Sequence, residues 1–295
     1  MRFMNVTLDD DDVPQLALVE GNKVRLLGDA ADMDVPMSLD ELIMMDPRLE
    51  SFQEILRENP DLPTVPLEKV RADLPLDFID KVVCLGLNYL EHAKEGGHAP
   101  PTYPSFFLRA PSSLVAHGQP VIRPKVSEQL DFECELVIVI GEEGRHIAEK
   151  NALKHVFGYT LMNDVSVRDY QRKTTQWTAG KNFDGTGPLG PMVVTADELP
   201  PGAKGLRIQT RLNGKVMQDA NTSDMIFDVA KTISLLSEIM TLRPGDLIAT
   251  GTPSGVGHAR KPPVWMKPGD VVEVEVEKIG VLRNPVIAEG DEPDA

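Results

Sequence analysis

The stretch Asp131-Phe132-Glu133-Cys134-Glu135-Leu136-Val137-Ile138-Val139-Ile140-Gly141 decides how this chain is read. Its second half is an apolar, β-branched run that stops at a glycine, the pattern of a buried strand. Side chains alternate across a strand. Glu133 and Glu135 therefore share a face with Val137 and Val139, while Cys134, Leu136, Ile138 and Ile140 take the other. Two carboxylates side by side on a core strand repel each other, and their burial is costly unless a positive partner lies between them. A divalent cation is the simplest such partner, and an all-oxygen site suits Mg, Mn or Ca. The competing reading is a half-exposed strand with both Glu facing water. Val271-Val272-Glu273-Val274-Glu275-Val276-Glu277 carries that second pattern and is read as a solvated strand. What separates the two segments is the company each keeps elsewhere in the chain.

Composition sets the outer bounds. The 295 residues are 41% hydrophobic and 26% charged, near globular averages, so a packed core is expected. The net charge of −16 repels phosphate backbones and anionic lipids, which argues against nucleic acid and membrane surfaces as partners. An anionic substrate would have to be held close in, by a metal or by local Lys and Arg. The two cysteines, Cys84 and Cys134, lie in apolar strand-like runs and read as buried free thiols. The N-terminal residues lack the basic start and apolar stretch of a signal peptide, and an acidic run, Asp9 to Asp12, follows. No window approaches 18 apolar residues, so no membrane span is expected and a cytoplasmic location is the default.

Residues 1–75 read as a small leading α+β module, and 76–295 as the main domain. In the former, two apolar runs flank Glu20-Gly21-Asn22, a hairpin signal. Ser38-Leu39-Asp40-Glu41 has the spacing of a capping box and opens a helix that ends near Pro47, and a second helix is expected over Glu50 to Arg57. Pro60, Pro63, Pro66 and Pro75 then mark an extended linker. From Lys81 onward short strands alternate with Gly- and Pro-rich turns. Strands are expected at 81–85, 105–108, 121–122, 134–140, 157–163, 192–195, 207–212, 247–249 and 271–276, with helices at 149–157 and 226–240. This is a β-rich α+β pattern, a sandwich or barrel-like roll and not a doubly wound sheet. The acidic tail from Glu289 to Ala295 is expected to fray.

Four further segments bear on chemistry. In Gly86-Leu87-Asn88-Tyr89-Leu90-Glu91-His92-Ala93-Lys94-Glu95-Gly96-Gly97, one helical turn brings His92 and Glu95 to the same side. A carboxylate beside an imidazole suits general-base work, though a surface His–Glu pair looks the same in sequence. The paired glycines after it would let the segment hinge like a lid. Asn163-Asp164-Val165-Ser166-Val167-Arg168-Asp169-Tyr170-Gln171 places Asp164 at the end of an apolar strand, as a third metal ligand or as a turn residue. Gly180-Lys181-Asn182-Phe183-Asp184-Gly185 is a glycine-rich loop with one Lys, and it lacks the ending of a phosphate-binding loop. Gly251-Thr252-Pro253-Ser254-Gly255 could offer N–H groups and a hydroxyl to an anion, or be a tight turn.

Taken in order, Gly-Leu-Asn-Tyr-x-x-His-Ala, Asp-Phe-Glu-x-Glu-Leu, Asn-Asp-Val-Ser-x-Arg-Asp, Gly-Lys-Asn-Phe-Asp and Gly-Thr-Pro-Ser-Gly resemble the fumarylacetoacetate hydrolase family, over roughly residues 78 to 285. That family includes acylpyruvate and fumarylpyruvate hydrolases, isomerases and oxaloacetate decarboxylases. The resemblance implies a mixed β-sandwich roll, usually homodimeric. It implies one Mg2+ or Mn2+ on Glu133, Glu135 and Asp164, a water-activating dyad of His92 and Glu95 on a mobile lid, and an active-site Lys181. It also implies substrate contacts from Thr252 and Gln171. Arg109 stands where many relatives have Lys, which keeps the charge, changes its reach and bears on the substrate tail. Gln176 and Trp177 are further candidates to line the pocket beyond the substrate's C4 carbonyl.

The expected reaction is hydrolysis of the C3–C4 bond of a 2,4-dioxo acid of acylpyruvate or fumarylpyruvate type, releasing pyruvate and a carboxylic acid. Isomerisation of a 2-hydroxyhepta-2,4-diene-1,7-dioate, keto–enol exchange or oxaloacetate decarboxylation would use the same metal site. A two-His, one-carboxylate iron oxygenase is disfavoured, because none of the six His adjoins the carboxylate motifs. A non-catalytic oxo-acid-binding protein is the remaining alternative, and the retention of His92, Glu95 and Lys181 speaks against it.

Overall fold

Cys134–Ile140 is a strand with all seven residues buried, and its two faces feed two different cores. Cys134, Leu136, Ile138 and Ile140 pack into one cluster with Ile208, Val274 and Ile233. Val137 and Val139 pack into another with Phe3, Leu42 and Phe52. Each fully buried Val, Leu or Ile side chain contributes roughly 1.5–3 kcal/mol, so a strand buried on both sides is a strong organiser. The computed structural model describes residues 1–8, 13–28, 36–97 and 99–291. The acidic run at 9–12 and tail residues 292–295 lie outside the described residues.

The strand sits inside a 12-stranded mixed sheet. Across the sheet the order runs Thr64–Pro66, Lys23–Leu26, Gln15–Glu20, Arg2–Leu8, Gly187–Thr195, Val156–Asn163, Cys134–Ile140, Leu247–Ala249, Val82–Gly86 and Ser105–Arg109. A second, five-stranded sheet runs Lys215–Asn221, Arg207–Leu212, Val271–Val276, Gly280–Ala288 and Val121–Arg123. The first core lies between these sheets and is closed by the helix Val229–Ile239. Asp228 caps that helix by accepting from the Lys231 N–H at 3.0 Å, an interaction worth about 1 kcal/mol. The second core lies on the other face of the large sheet, under the helices Leu39–Met45 and Glu50–Glu58.

The leading residues are stitched into this framework. Arg2 pairs opposite Val194 and Phe3 opposite Val193, and Phe3 is fully buried. The expected hairpin forms, with Glu20 opposite Lys23. Ser38 caps its helix by accepting from the Glu41 N–H, but Glu41 returns to the Met37 N–H, one residue before the position a capping box uses.

Most expected strands form within a residue or two, and Cys134–Ile140, Arg207–Leu212, Leu247–Ala249 and Val271–Val276 match end to end. The helix expected over 149–157 is instead a 3-10 helix, Glu149–His155, and the strand begins at Val156. Val156 is β-branched and pairs with Ile140, so the sheet ladder takes the chain before a full α-helix can form. Val271–Val276 buries Val272, Val274 and Val276, while Glu273 and Glu275 stand half-buried on the opposite face. There Arg211 bridges both, at 3.0 and 2.5 Å. The thiols of Cys84 and Cys134 are free and buried, and burial pushes Cys134 up to about 12, which leaves it unreactive.

Gly158 shows how tightly the large sheet is closed. A Cβ there would lie 2.4 Å from the Val194 carbonyl oxygen, a backbone atom that cannot turn aside. Gly158→Ala is expected to cost about 1–3 kcal/mol, as over-packing does. A melting midpoint equal to that of the parent chain would show that the sheet accommodates the methyl.

Candidate active site

Strand register builds the acidic centre. Cys134 pairs with Asn163 in an antiparallel ladder, so Glu133 and Asp164 meet at the next step out. The Asp164 N–H donates to the Glu133 carbonyl at 2.9 Å, and the Glu133 N–H donates to Asn163 Oδ1 at 2.9 Å. On the other edge Val137 pairs with Ala249, which carries Gly251 up to Glu135. The Gly251 N–H donates to Glu135 Oε2 at 2.7 Å. Gly251 has φ +92°, and a Cβ there would lie 2.8 Å from Asn88, so glycine alone fits this approach. Carboxylate oxygens of Glu133, Glu135 and Asp164 lie within 4.8 Å of one another, and all three residues are buried.

Three cations surround this cluster. The Lys181 ammonium donates to Glu133 Oε2 at 2.6 Å and to Asp164 Oδ2 at 2.5 Å. Lys181 ends a short helix, Thr178–Lys181, where the sequence suggested a loop. Gly180 beside it packs on Gln171, with no room for a Cβ. Arg168 donates through Nε to Asp131 at 2.7 Å and lies 2.6 Å from Glu133 Oε1. Arg109 donates to Asp164 Oδ1 at 2.5 Å and to Thr186 Oγ1 at 3.0 Å. The arginine expected at the substrate tail is thus placed differently. Its side chain is fully buried behind Asp164 as a counter-ion, away from the cavity.

These cations do not serve all the carboxylates equally. Burial alone would raise the Glu133 carboxyl, but Lys181 and Arg168 outweigh it and hold Glu133 well below the usual range. Glu135 goes the other way. Burial first, then repulsion from Asp164 and Glu133, pushes its carboxyl well above the usual range. Four buried carboxylates, Asp131, Glu133, Glu135 and Asp164, face three buried cations, Arg109, Arg168 and Lys181. The under-compensated one is Glu135, held by a single N–H among the described residues. This all-oxygen, net-negative set fits a hard divalent cation such as Mg2+ or Mn2+.

A cavity of about 380 Å³ opens over the cluster. Glu133, Glu135, Lys181, His92, Gln171 and Thr252 all line it. His92 lies on the helix Leu90–Glu95, its Nδ1 3.3 Å from Glu95 Oε1. Glu95 in turn accepts from the Gly255 N–H at 2.9 Å, which fastens the helix to the Gly251–Gly255 turn. Thr252 Oγ1 accepts from Gln218 at 2.8 Å, so its own proton is free to be donated. Gln171 Oε1 accepts from Arg168 at 3.0 Å, which sets the orientation of its amide. Phe107 and Trp177 form an apolar wall, ring edge to ring face at 5.6 Å. Gly86 makes room for Trp177, since a Cβ there would lie 2.0 Å from the indole. Gln176 is exposed and does not line the cavity, whereas Arg168, Arg172 and His258 do. Arg168 stood in a quoted motif without a role. Asp131 likewise stood in a quoted motif without a role, and His258 gave no sequence signal of its own.

The comparisons with known proteins agree with this geometry. The model for the C-terminal domain of fumarylacetoacetate (FAA) hydrolase matches residues 81–287. The chain belongs to the fumarylacetoacetate hydrolase family. It is 44% identical to the mitochondrial oxaloacetate tautomerase FAHD2A of Homo sapiens over 228 residues, 77% of this chain and 72% of that protein. It is 37% identical to the mitochondrial oxaloacetate tautomerase of Xenopus laevis over 293 residues, 97% of this chain and 90% of that one. Among solved structures it resembles the fumarylacetoacetate hydrolase of Exiguobacterium antarcticum, with a TM-score of 0.83, 36% identity and 98% and 100% of the two chains covered. It also resembles a maleylpyruvate hydrolase of Sphingobium solved with manganese(II) and pyruvate, with a TM-score of 0.79, 29% identity and coverage of 98% and 99%. Family members thus include tautomerases as well as hydrolases. No helix among the described residues is long and apolar enough to cross a membrane.

Two measurements check the metal centre. Glu135→Gln should weaken Mn2+ binding by at least about 100-fold, the upper end of what loss of a supporting contact alone costs. Glu275→Gln on the Arg211 face should leave it unchanged; calorimetric titration of both variants decides. Because its folded-state pKa is raised, Glu135 must lose a proton to take a cation, so affinity should climb as pH rises above the ordinary carboxylate range. For the metal-free protein the sign reverses. Stability from this group is full below its unfolded pKa and is lost as pH rises through the folded value. An Mn2+ affinity that does not vary with pH would show that Glu135 is already ionised.

Proposed function

We propose that this chain is a divalent-cation-dependent enzyme acting on 2-oxo acids, and that its reaction is keto–enol tautomerisation of oxaloacetate. The carrying observation is that a carboxylate-oriented imidazole, His92, lines the same cavity as the buried carboxylate cluster. The two oxaloacetate tautomerases above, similar over most of their own length, favour this reaction over others on the same scaffold.

A divalent cation held by Glu133, Glu135 and Asp164 would polarise the 2-oxo carbonyl and favour the enol form of the substrate. Lys181 bridges Glu133 and Asp164 and keeps their oxygens gathered. The Thr252 hydroxyl donates to the substrate carboxylate, because Gln218 already occupies it as an acceptor. The Gln171 amide N–H group is a second donor, its oxygen being taken by Arg168. Glu95 holds His92 at Nδ1 and leaves Nε2 to move a proton at C3. Phe107 and Trp177 limit water on one side of the bound acid.

Hydrolysis of a 2,4-dioxo acid is the second reading. The His92–Glu95 pair favours it, since the same imidazole could activate water at the C4 carbonyl. The deciding assay offers oxaloacetate and an acylpyruvate side by side with Mg2+ or Mn2+. Enol-to-keto conversion should be the faster reaction, and His92→Ala should lower its kcat by about 100-fold or more. Faster cleavage of the acylpyruvate would replace this reading with the hydrolase. An unimpaired His92→Ala variant would remove His92 from either mechanism.

A further inference from the structure

The cavity has a second histidine, His258, which none of the motifs includes. Its position is built and not incidental. Asp131 is fully buried and accepts from five groups on three segments of chain. Its Oδ1 takes the N–H groups of Phe132 and Gly257, at 2.9 and 2.7 Å. Its Oδ2 takes Arg168 Nε at 2.7 Å, the His258 N–H at 3.0 Å and His258 Nδ1 at 3.1 Å. Gly257 is needed for this approach, because a Cβ there would lie 2.0 Å from the Val264 carbonyl oxygen and 2.6 Å from Asp131.

The tautomer of His258 follows from these contacts. Arg168 and the N–H groups of Phe132, Gly257 and His258 all donate to Asp131, so its oxygens act as acceptors. Facing an acceptor, Nδ1 carries a proton, and Nε2 is the nitrogen left to take or give one. No group among the described residues bonds Nε2. The side chain is 15% exposed and lines the same cavity as Glu133, Glu135 and His92. His92 has the same arrangement, with Nδ1 on Glu95. Two carboxylate-held imidazoles therefore border one cavity, each with its far nitrogen unclaimed among the described residues.

We propose that His258, positioned by Asp131, is a second acid–base residue of this cavity and exchanges a proton with the substrate at Nε2. The inference rests on the tautomerase reading and gives it a mechanism. Going from keto to enol, a base takes the C3 proton. The C–H pair becomes the C2–C3 double bond, the carbonyl π pair moves to the 2-oxygen, and that oxygen takes a proton from an acid. The reverse direction retraces these steps. Two protons move, one to and one from the protein, so two imidazoles serve where one would have to turn over between carbon and oxygen. One enters neutral and one protonated, they leave with those states exchanged, and exchange with water restores them. Arg168 shares Asp131 with His258 and touches Glu133, which sets the second imidazole beside the carboxylate cluster.

His258→Asn tests this, because the Asn amide can still donate to Asp131 while the atom equivalent to Nε2 is gone. The Mn2+-loaded variant and parent are compared in three ways: oxaloacetate tautomerisation, calorimetric binding of oxalate, and the melting midpoint. The expected result is a kcat lowered about 100-fold or more, with KM, oxalate affinity and melting midpoint little changed. A kcat within threefold of the parent overturns the role. A parallel loss of oxalate affinity and melting midpoint also overturns it, leaving His258 as a structural residue. If the parent cleaves an acylpyruvate and does not tautomerise oxaloacetate, the tautomerase reading falls by itself. His258 is then judged on that cleavage by the same criterion. If the parent catalyses neither, both proposals fall.

Discussion

Everything around the cavity answers one constraint: like charges buried at the end of a strand pair must be neutralised from outside it. Register brings Glu133 opposite Asp164 and leaves Glu135 beside them. No neighbour in either strand supplies a positive charge. Lys181, Arg168 and Arg109 therefore arrive from three other segments, and each becomes fixed by the carboxylate it serves. Breaking one such buried pair costs about 3–5 kcal/mol, because it strands a charge away from water. The short helices, the glycine contacts at 180 and 251 and the turn at 255–258 can be understood as the packing needed to bring these groups in.

The compensation is uneven in a way that suits catalysis. Glu133 and Asp164 are satisfied by protein cations, whereas Glu135 has one backbone N–H. A fully neutralised cluster would have no electrostatic reason to hold a cation, and an uncompensated one would resist folding. The present arrangement stays between these limits. It places the protein's own cations behind or beside the carboxylates and leaves the cavity side to the substrate.

Much of this was legible because periodicity is a local signal. The alternation in Cys134–Ile140 correctly divided its side chains between two cores, and Val271–Val276 showed its half-solvated pattern. His92 and Glu95 met because three residues span one helical turn. What escaped was non-local. Asp131, Arg168 and His258 are ordinary residues in sequence, and only the fold brings them together. Arg109 misled for a related reason. Its charge is visible in the sequence, but its complete burial behind Asp164 is not, so a counter-ion resembled a substrate contact. At 149–157 a helical pattern yielded to the sheet ladder that claims Val156.

The pairing of Arg2–Leu8 with Gly187–Thr195 has a consequence for how the large sheet is assembled. Arg2 and Phe3 find their partners Val194 and Val193 nearly two hundred residues further along the chain. Until that pairing forms, Phe3 has one unsatisfied edge and an incomplete core, whereas Val6 is paired on the same side with the nearer Ala72. Loop closure over such a span is slow, and unpaired edges associate with other chains. The edge at Arg2 and Phe3 therefore stays open until the intervening chain has folded. The helices Leu39–Met45 and Glu50–Glu58 bury Leu42 and Phe52 in the same core as Phe3, and so cover its side chain while that edge is open.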